Sequence, residues 1–268
     1  MRTDFKLKDS YTVADLVEIM ALLRSEGGCP WDREQTHESI RGNFIEETYE
    51  AVEAIDNGDS ESLKEELGDV LLQVVFHSEI ERERGSFDFD DVCDGICRKL
   101  ILRHPHIFKD EDLSDAEKVA DRWDEIKKES KGQETAAETL RAVPKQLPAL
   151  MRSAKLQQRA EKACGTRHDV VWCLRKLDEE VTELKEAVRA NDIVHCADEV
   201  GDVLFSAVNA ARALDLEPEQ CLFAASEKFI QRVEAVERIV TESGRELTDL
   251  KSSELSEIWL EAKEQTSL

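Results

Sequence analysis

Apolar residues recur at helical spacing along most of the chain. Between residues 11 and 24 they fall at Val13, Leu16, Val17, Met20 and Leu23, three or four apart, which is one stripe of a helix. The same periodicity predicts helices over 43–56, from Asp59 or Ser60 to about Arg84, and over 88–102 and 114–128. It then predicts helices over 149–161, 170–190, 192–214, 218–242 and 251–264. Asn57-Gly58 ends one helix, Asp59 or Ser60 caps the next, and Ser114-x-x-Glu117 fits a capping box. No stretch alternates well enough to predict a strand. The segment after Asp69 is apolar nearly all round (Val70, Leu71, Leu72, Val74, Val75, Phe76), and such a helix belongs inside a bundle. The expected fold is all-α.

The pattern occurs twice. Residues 44–76 and 177–209 align without a gap, each carrying E-E-x-x-E, then E-x-G-D, then an apolar run. Glu47, Glu50, Glu66 and Asp69 recur at a constant offset of 133 as Glu180, Glu183, Glu199 and Asp202. Further on, Lys99 and Arg103 recur as Lys228 and Arg232, and Trp123 and Lys127 as Trp259 and Lys263. Eight residues in one order imply a duplicated helical-bundle domain. The polar stretch around Gly132, Pro144 and Pro148 reads as a linker. The expected organisation is a first domain over 1–130, a linker over 131–146 and a second domain over 147–268.

Composition narrows the function. The 268 residues hold 36 Lys and Arg against 60 Asp and Glu, a net charge of −24. That field repels nucleic-acid backbones, so DNA or RNA is not an expected partner, whereas a small Mg-chelated nucleotide is not excluded, because the cation screens its charge. Seven scattered cysteines without C-x-x-C argue against a zinc site or disulfide framework. The N-terminus has no apolar signal core and no run is long enough to span a bilayer, so the expected compartment is the cytoplasm, with no membrane partner.

Residues three apart share a helix face. Glu47 with Glu50, and Glu66 with Asp69, therefore point together, and two adjacent helices make four convergent carboxylates. Glu180, Glu183, Glu199 and Asp202 repeat the arrangement. Four such groups need compensation, and Mg²⁺ prefers oxygen ligands of this kind, with Mn²⁺ a substitute. One ion leaves residual negative charge that repels a triphosphate, so a multi-Mg²⁺ site is expected. The competing assignment is a solvated acidic face, to which Glu46, Glu53, Glu65, Glu179, Glu186 and Asp198 are given, as groups in solvent or behind the ligands. Asp69 and Asp202 resist it, because the apolar helix that follows implies a half-buried carboxylate. No His sits where a di-iron bundle would need Glu-x-x-His.

Lys228 and Arg232, four apart, can neutralise phosphoryl charge, while Trp259 either covers a base or packs. Asn209 lies two turns beyond Asp202, about 10 Å along the same face, where it suits a sugar or base. Its counterpart is Phe76, which has no side-chain hydrogen bond to offer. The second domain is therefore expected to hold the more competent site, the first being a weaker site, a regulatory nucleotide site or a dimerisation domain. In GCPWDREQTH (28–37), Gly28 and Pro30 break a helix and Asp32 caps the next; Trp31 packs or faces a base. His104 and His106 flank Pro105 without helical metal-ligand spacing and read as structural.

With GCPWDREQTH, EETYE (46–50), ELGDVLLQVVFH (66–77), RHPHIF (103–108), RWDEIK (122–127), LPALMRSAKLQQRA (147–160), EEVTE (179–183) and EVGDVLFSAVN (199–209), the chain resembles the two-domain MazG nucleoside triphosphate pyrophosphohydrolases. The resemblance implies helical bundles that pair into dimers and the Mg²⁺-dependent reaction NTP + H₂O → NMP + PPi on ribo- and deoxyribonucleotides. It implies a role in removing unwanted nucleotides or lowering alarmone levels. Metal ligands carry over to Glu180, Glu183, Glu199 and Asp202, and to Glu47, Glu50, Glu66 and Asp69. Nucleotide contacts carry over to Lys228, Arg232, Trp259 and Lys263, and to Lys99, Arg103, Trp123 and Lys127. Glu180 or Glu179 is the expected general base. The alternative is a regulatory protein that binds Mg-NTP without efficient turnover.

Overall fold

A computed structural model describes residues 5–109, 122–123, 126 and 135–266. The chain divides into two compact units, Met1–Lys127 and Lys128–Leu268. Among the described residues there is no strand.

In the first unit the helices are α1 (Val13–Arg24), α2 (Pro30–Glu34), α3 (His37–Asn57), α4 (Ser60–Arg84), α5 (Phe89–Arg103) and α6 (Pro105–Phe108). The second has α7 (Ala136–Arg141), α8 (Ala149–Cys164), α9 (Val170–Ala190), α10 (Ile193–Ala213), α11 (Pro218–Glu242) and α12 (Ser252–Gln265). The helix expected over 114–128 lies outside the described residues except at Arg122, Trp123 and Ile126, which are helical. Helix α7 forms within the segment read as a linker, and Arg159 of α8 donates to the Thr139 carbonyl.

The two hairpins α3–α4 and α9–α10 use one turn chemistry. Gly58 and Asn191 take left-handed backbone, at φ 66° and 56°. Asp59 and Asp192 then cap the following helix, accepting from Ser62 N and His195 N. So short a connection forces each pair to lie antiparallel in contact.

Two sequence expectations are corrected. Helix α3 begins at His37 rather than near 43, because Thr36 accepts from Ser39 N and Ser39 Oγ accepts from Thr36 N, a reciprocal cap. Asp32 is not a cap: it lies inside the short α2, which Pro30 opens. Gly28 is required by space, since a Cβ there would lie 2.3–2.4 Å from the Leu22 and Leu23 carbonyl oxygens.

The core of the first unit joins Met20 (α1), Ile40 (α3) and Val75, Phe76 and Ile80 (α4), all buried. In the second, Ala235, Val236 and Val240 of α11 pack on Ala262 of α12, with Trp259 against them. The bundle interior expected for the helix after E-x-G-D holds for α4. It does not hold for all of α10, where Val200, Leu204 and Phe205 are exposed.

Candidate active site

Each hairpin draws three carboxylates together across its two helices. In the first unit they are Glu47 of α3 with Glu66 and Asp69 of α4. In the second they are Glu180 of α9 with Glu199 and Asp202 of α10. In each group one oxygen per residue lies within 4.8 Å of the others. The fourth residue of each set stands outside this inner group. Glu50 stands near enough to Glu66 to raise its carboxyl, and Glu183 lines a shallow concavity with Arg175, Glu179 and Glu186.

The electrostatics are those of under-compensated acids. Burial, then the charges of Asp69, Glu50 and Glu66, pushes the Glu47 carboxyl above its ordinary range. Burial followed by Glu50 and Asp69 does the same to Glu66. Glu199 is 5% exposed and is raised first by burial and then by Glu183, Asp202 and Glu180, with His195 opposing. His195 Nε2 lies 3.4 Å from Glu199 Oε1, while Glu199 Oε2 is buried without a partner. An all-oxygen donor set with an orphaned buried carboxylate oxygen fits a hard divalent cation. Asp202 is exposed rather than half-buried, and Glu199 is the buried member instead. Three residues of helix leave a 60° rotation between them, which buries one carboxylate and exposes the other although both reach Glu180.

Glu46, Glu53, Glu65, Glu179, Glu186 and Asp198 are all exposed. The Lys176 ammonium, 2.7 Å from Glu179, holds that carboxyl below its ordinary value; Lys176 also lies 3.4 Å from Glu180.

Lys228 is exposed and Arg232 half-buried on α11, and the Arg232 Nε is buried without a partner. Trp259 tilts against Phe229 at 5.5 Å and lines an apolar groove with Val233, Leu247, Leu255 and Leu260. Lys263 is half-buried on the same helix. In the first unit Arg103 lies over the Trp123 ring, 5.0 Å from its centroid. Lys99 is exposed, and Lys127 lies outside the described residues. His104 Nδ1 contacts the Leu100 carbonyl at 2.7 Å at the end of α5 and its ring meets Trp123 edge-on. Trp31 is 59% exposed and so does not pack in its unit.

Two features escaped the sequence reading. His37 Nδ1 lies 2.6 Å from His77 Nδ1, and His37 Nε2 lies 2.6 Å from Glu81 Oε1, tying the start of α3 to α4. Both histidines are the last residues of quoted motifs, but nothing in their separation of forty residues announces a contact. The second feature is Gln157 of α8, buried beside Arg212 and Asn209.

Each of the two helical hairpins thus presents three convergent acids that could hold a metal ion. The sequence profile of the MazG nucleotide pyrophosphohydrolase domain matches residues 35–108 and 172–237, one match over each hairpin. A Thermotoga maritima protein named nucleoside triphosphate pyrophosphohydrolase/pyrophosphatase MazG is 41% identical over 249 residues, covering 93% of this chain and 94% of its own. An Escherichia coli K12 nucleoside triphosphate pyrophosphohydrolase is 41% identical over 257 residues, covering 93% and 96%. The Bacillus subtilis protein YabN is 42% identical over 250 residues, which are 92% of this chain and 50% of that one. The chain belongs to the MazG family.

Proposed function

We propose that this protein hydrolyses nucleoside triphosphates, ribo and deoxy, to the monophosphate and pyrophosphate. The observation that carries the reading is the Glu180–Glu199–Asp202 group, in a chain whose family relatives are named for that activity. Mg²⁺, with Mn²⁺ as substitute, is the proposed cofactor, held by these three with Glu183 alongside, and in the first unit by Glu47, Glu66 and Asp69 with Glu50. Bound there, such a cation neutralises phosphate charge and makes the α-phosphorus more electrophilic.

The chain's own groups do the rest. Glu180, which converges with Glu199 and Asp202, is the favoured proton acceptor for the attacking water; Glu179 is exposed and outside that group. Lys228 and Arg232 hold the charge of the departing pyrophosphate; the unpartnered Arg232 Nε supports a site that takes an anion. Trp259 and its apolar groove take the base, with Lys263 on the same helix. Lys99, Arg103, Trp123 and Lys127 are the corresponding set in the first unit.

The second unit is the more competent hydrolase in this reading, because Phe76 fills with core what Asn209 leaves polar. The domain limits proposed are 1–130 and 147–268. Exposed Leu222, Phe223, Phe229 and Ile230 on α11 support burial against a second copy of the chain, a homodimer. Seven free cysteines, and the lack of any described helix long and apolar enough to cross a membrane, support a cytoplasmic site of action.

Purified protein incubated with Mg²⁺ and a panel of NTPs and dNTPs, an alarmone among them, tests the reading by ion-exchange analysis of products. Monophosphate with pyrophosphate is expected. Diphosphate with phosphate overturns the cleavage point. Tight Mg-NTP binding without product makes the protein a regulatory binder.

A further inference from the structure

A half-buried polar network joins α8 to α10 seven residues beyond Asp202. Arg212 lies at its centre. Its Nη2 donates to Glu161 Oε2 at 2.6 Å and its Nη1 to Glu161 Oε1 at 3.0 Å. The same Nη1 is shared with Gln157 Oε1 at 3.4 Å and Asn209 Oδ1 at 3.5 Å. Gln157, 7% exposed, donates its Nε2 to the Phe205 carbonyl at 2.7 Å.

The directions of these bonds are fixed by chemistry. A guanidinium only donates, so the amide group that faces it must present oxygen. Gln157 satisfies both ends of its amide: oxygen toward Arg212, nitrogen toward Phe205. Asn209 is left with its oxygen toward Arg212 and its NH₂ turned away. Because Glu161 takes the guanidinium charge in a bidentate pair, the network offers a ligand one neutral donor rather than a cation.

The first unit has the same helix packing without this chemistry. There α1 packs on α4, Met20 and Phe76 share the core, and the aligned partner of Arg212 is Glu79. The Arg24 guanidinium covers the Phe76 ring at 5.3 Å and pairs with Glu83. The inter-helix ion pair survives with its polarity reversed, and the free amide donor does not.

We propose that Arg212 and Gln157 are positioning residues that aim the Asn209 NH₂ at a hydroxyl oxygen of the nucleotide sugar, the 3′ hydroxyl common to ribo- and deoxyribonucleotides. Asn209 is about 10 Å along the helix from Asp202, the reach of a sugar when the phosphates lie at the carboxylates. This rests on the proposed hydrolysis.

The test compares a dNTP with the matching 2′,3′-dideoxy analogue in wild type, Arg212→Lys and Asn209→Leu, with melting temperatures recorded for each. Wild type should favour the dNTP in KM by about fivefold, the scale of one neutral hydrogen bond. Arg212→Lys keeps a cation for Glu161 but loses the fork. It should raise the dNTP KM to that of the analogue while kcat and the analogue's KM stay within about twofold. Asn209→Leu, which keeps the size of the side chain and removes its hydrogen-bonding groups, should abolish the same preference and serves if Arg212→Lys fails to fold. Equal losses on both substrates mean a purely structural network and overturn the inference. So does a preference that follows the base carbonyls rather than the sugar. If wild type turns over no nucleotide, the proposed activity falls and the inference falls with it; turnover without a sugar preference overturns the inference alone.

Discussion

The two units solve one packing problem in opposite ways. In both, a helix from outside the hairpin lies against the E-x-G-D helix just past the acids. In the first unit this contact is Met20 on Phe76, Val75 and Ile80, an apolar core. In the second it is Gln157 and Glu161 on Arg212 and Asn209. Apolar contact contributes stability with no obligation to a ligand. A buried polar network contributes less net stability but holds a donor in one orientation. Duplication preserved the acids and the hairpin turn in both copies, and the divergence lies beside them.

The largest effect expected from this contrast is on turnover. Glu199→Gln should lower kcat about a thousandfold, consistent with several kcal/mol of lost electrostatic stabilisation. Glu66→Gln should leave kcat within about threefold. Comparable losses from both would make the units equal partners; the reverse pattern would invert the ranking. Stability should follow the opposite order. Phe76→Ala removes a core aromatic and should cost about 3–5 kcal/mol in denaturant unfolding of the first unit. Asn209→Ala, at a half-buried polar site, should cost about 1 kcal/mol in the second.

Smaller again is the response to cations. The Glu47, Glu66 and Glu199 carboxyls are raised in the folded protein, so the fold binds protons there more tightly than the unfolded chain. With chelator present their contribution favours folding below the unfolded value of about 4.3 and is lost as pH rises through the folded values. Mg²⁺ should reverse that trend, raising the melting temperature more at pH 8 than at pH 4.5, with Glu199→Gln removing the second unit's share. The smallest effect belongs to His77, whose pKa is lowered by burial and then by His37. A lowered imidazole makes no demand above the unfolded value of about 6.5 and weakens the fold as pH falls below it. Mild acid should therefore lower the first unit's melting temperature, and His77→Phe should flatten that slope.

The sequence alone determined the all-α class, because helical periodicity and a dearth of Gly and Pro admit little else. It determined the duplication and the hairpin turns, since Gly58-Asp59 and Asn191-Asp192 occupy aligned positions whose backbone chemistry is local. It also identified the acids, whose i,i+3 spacing puts each pair on one side of a helix. Only the tertiary structure decided which of them converge. Two residues on one face still differ by 60°, and the roll of one helix against its neighbour set Glu199 inward and Asp202 outward. It alone joined His37 to His77 and Gln157 to Arg212. Those contacts link residues forty or more apart, and what brings them together is the packing of whole helices rather than any spacing along the chain.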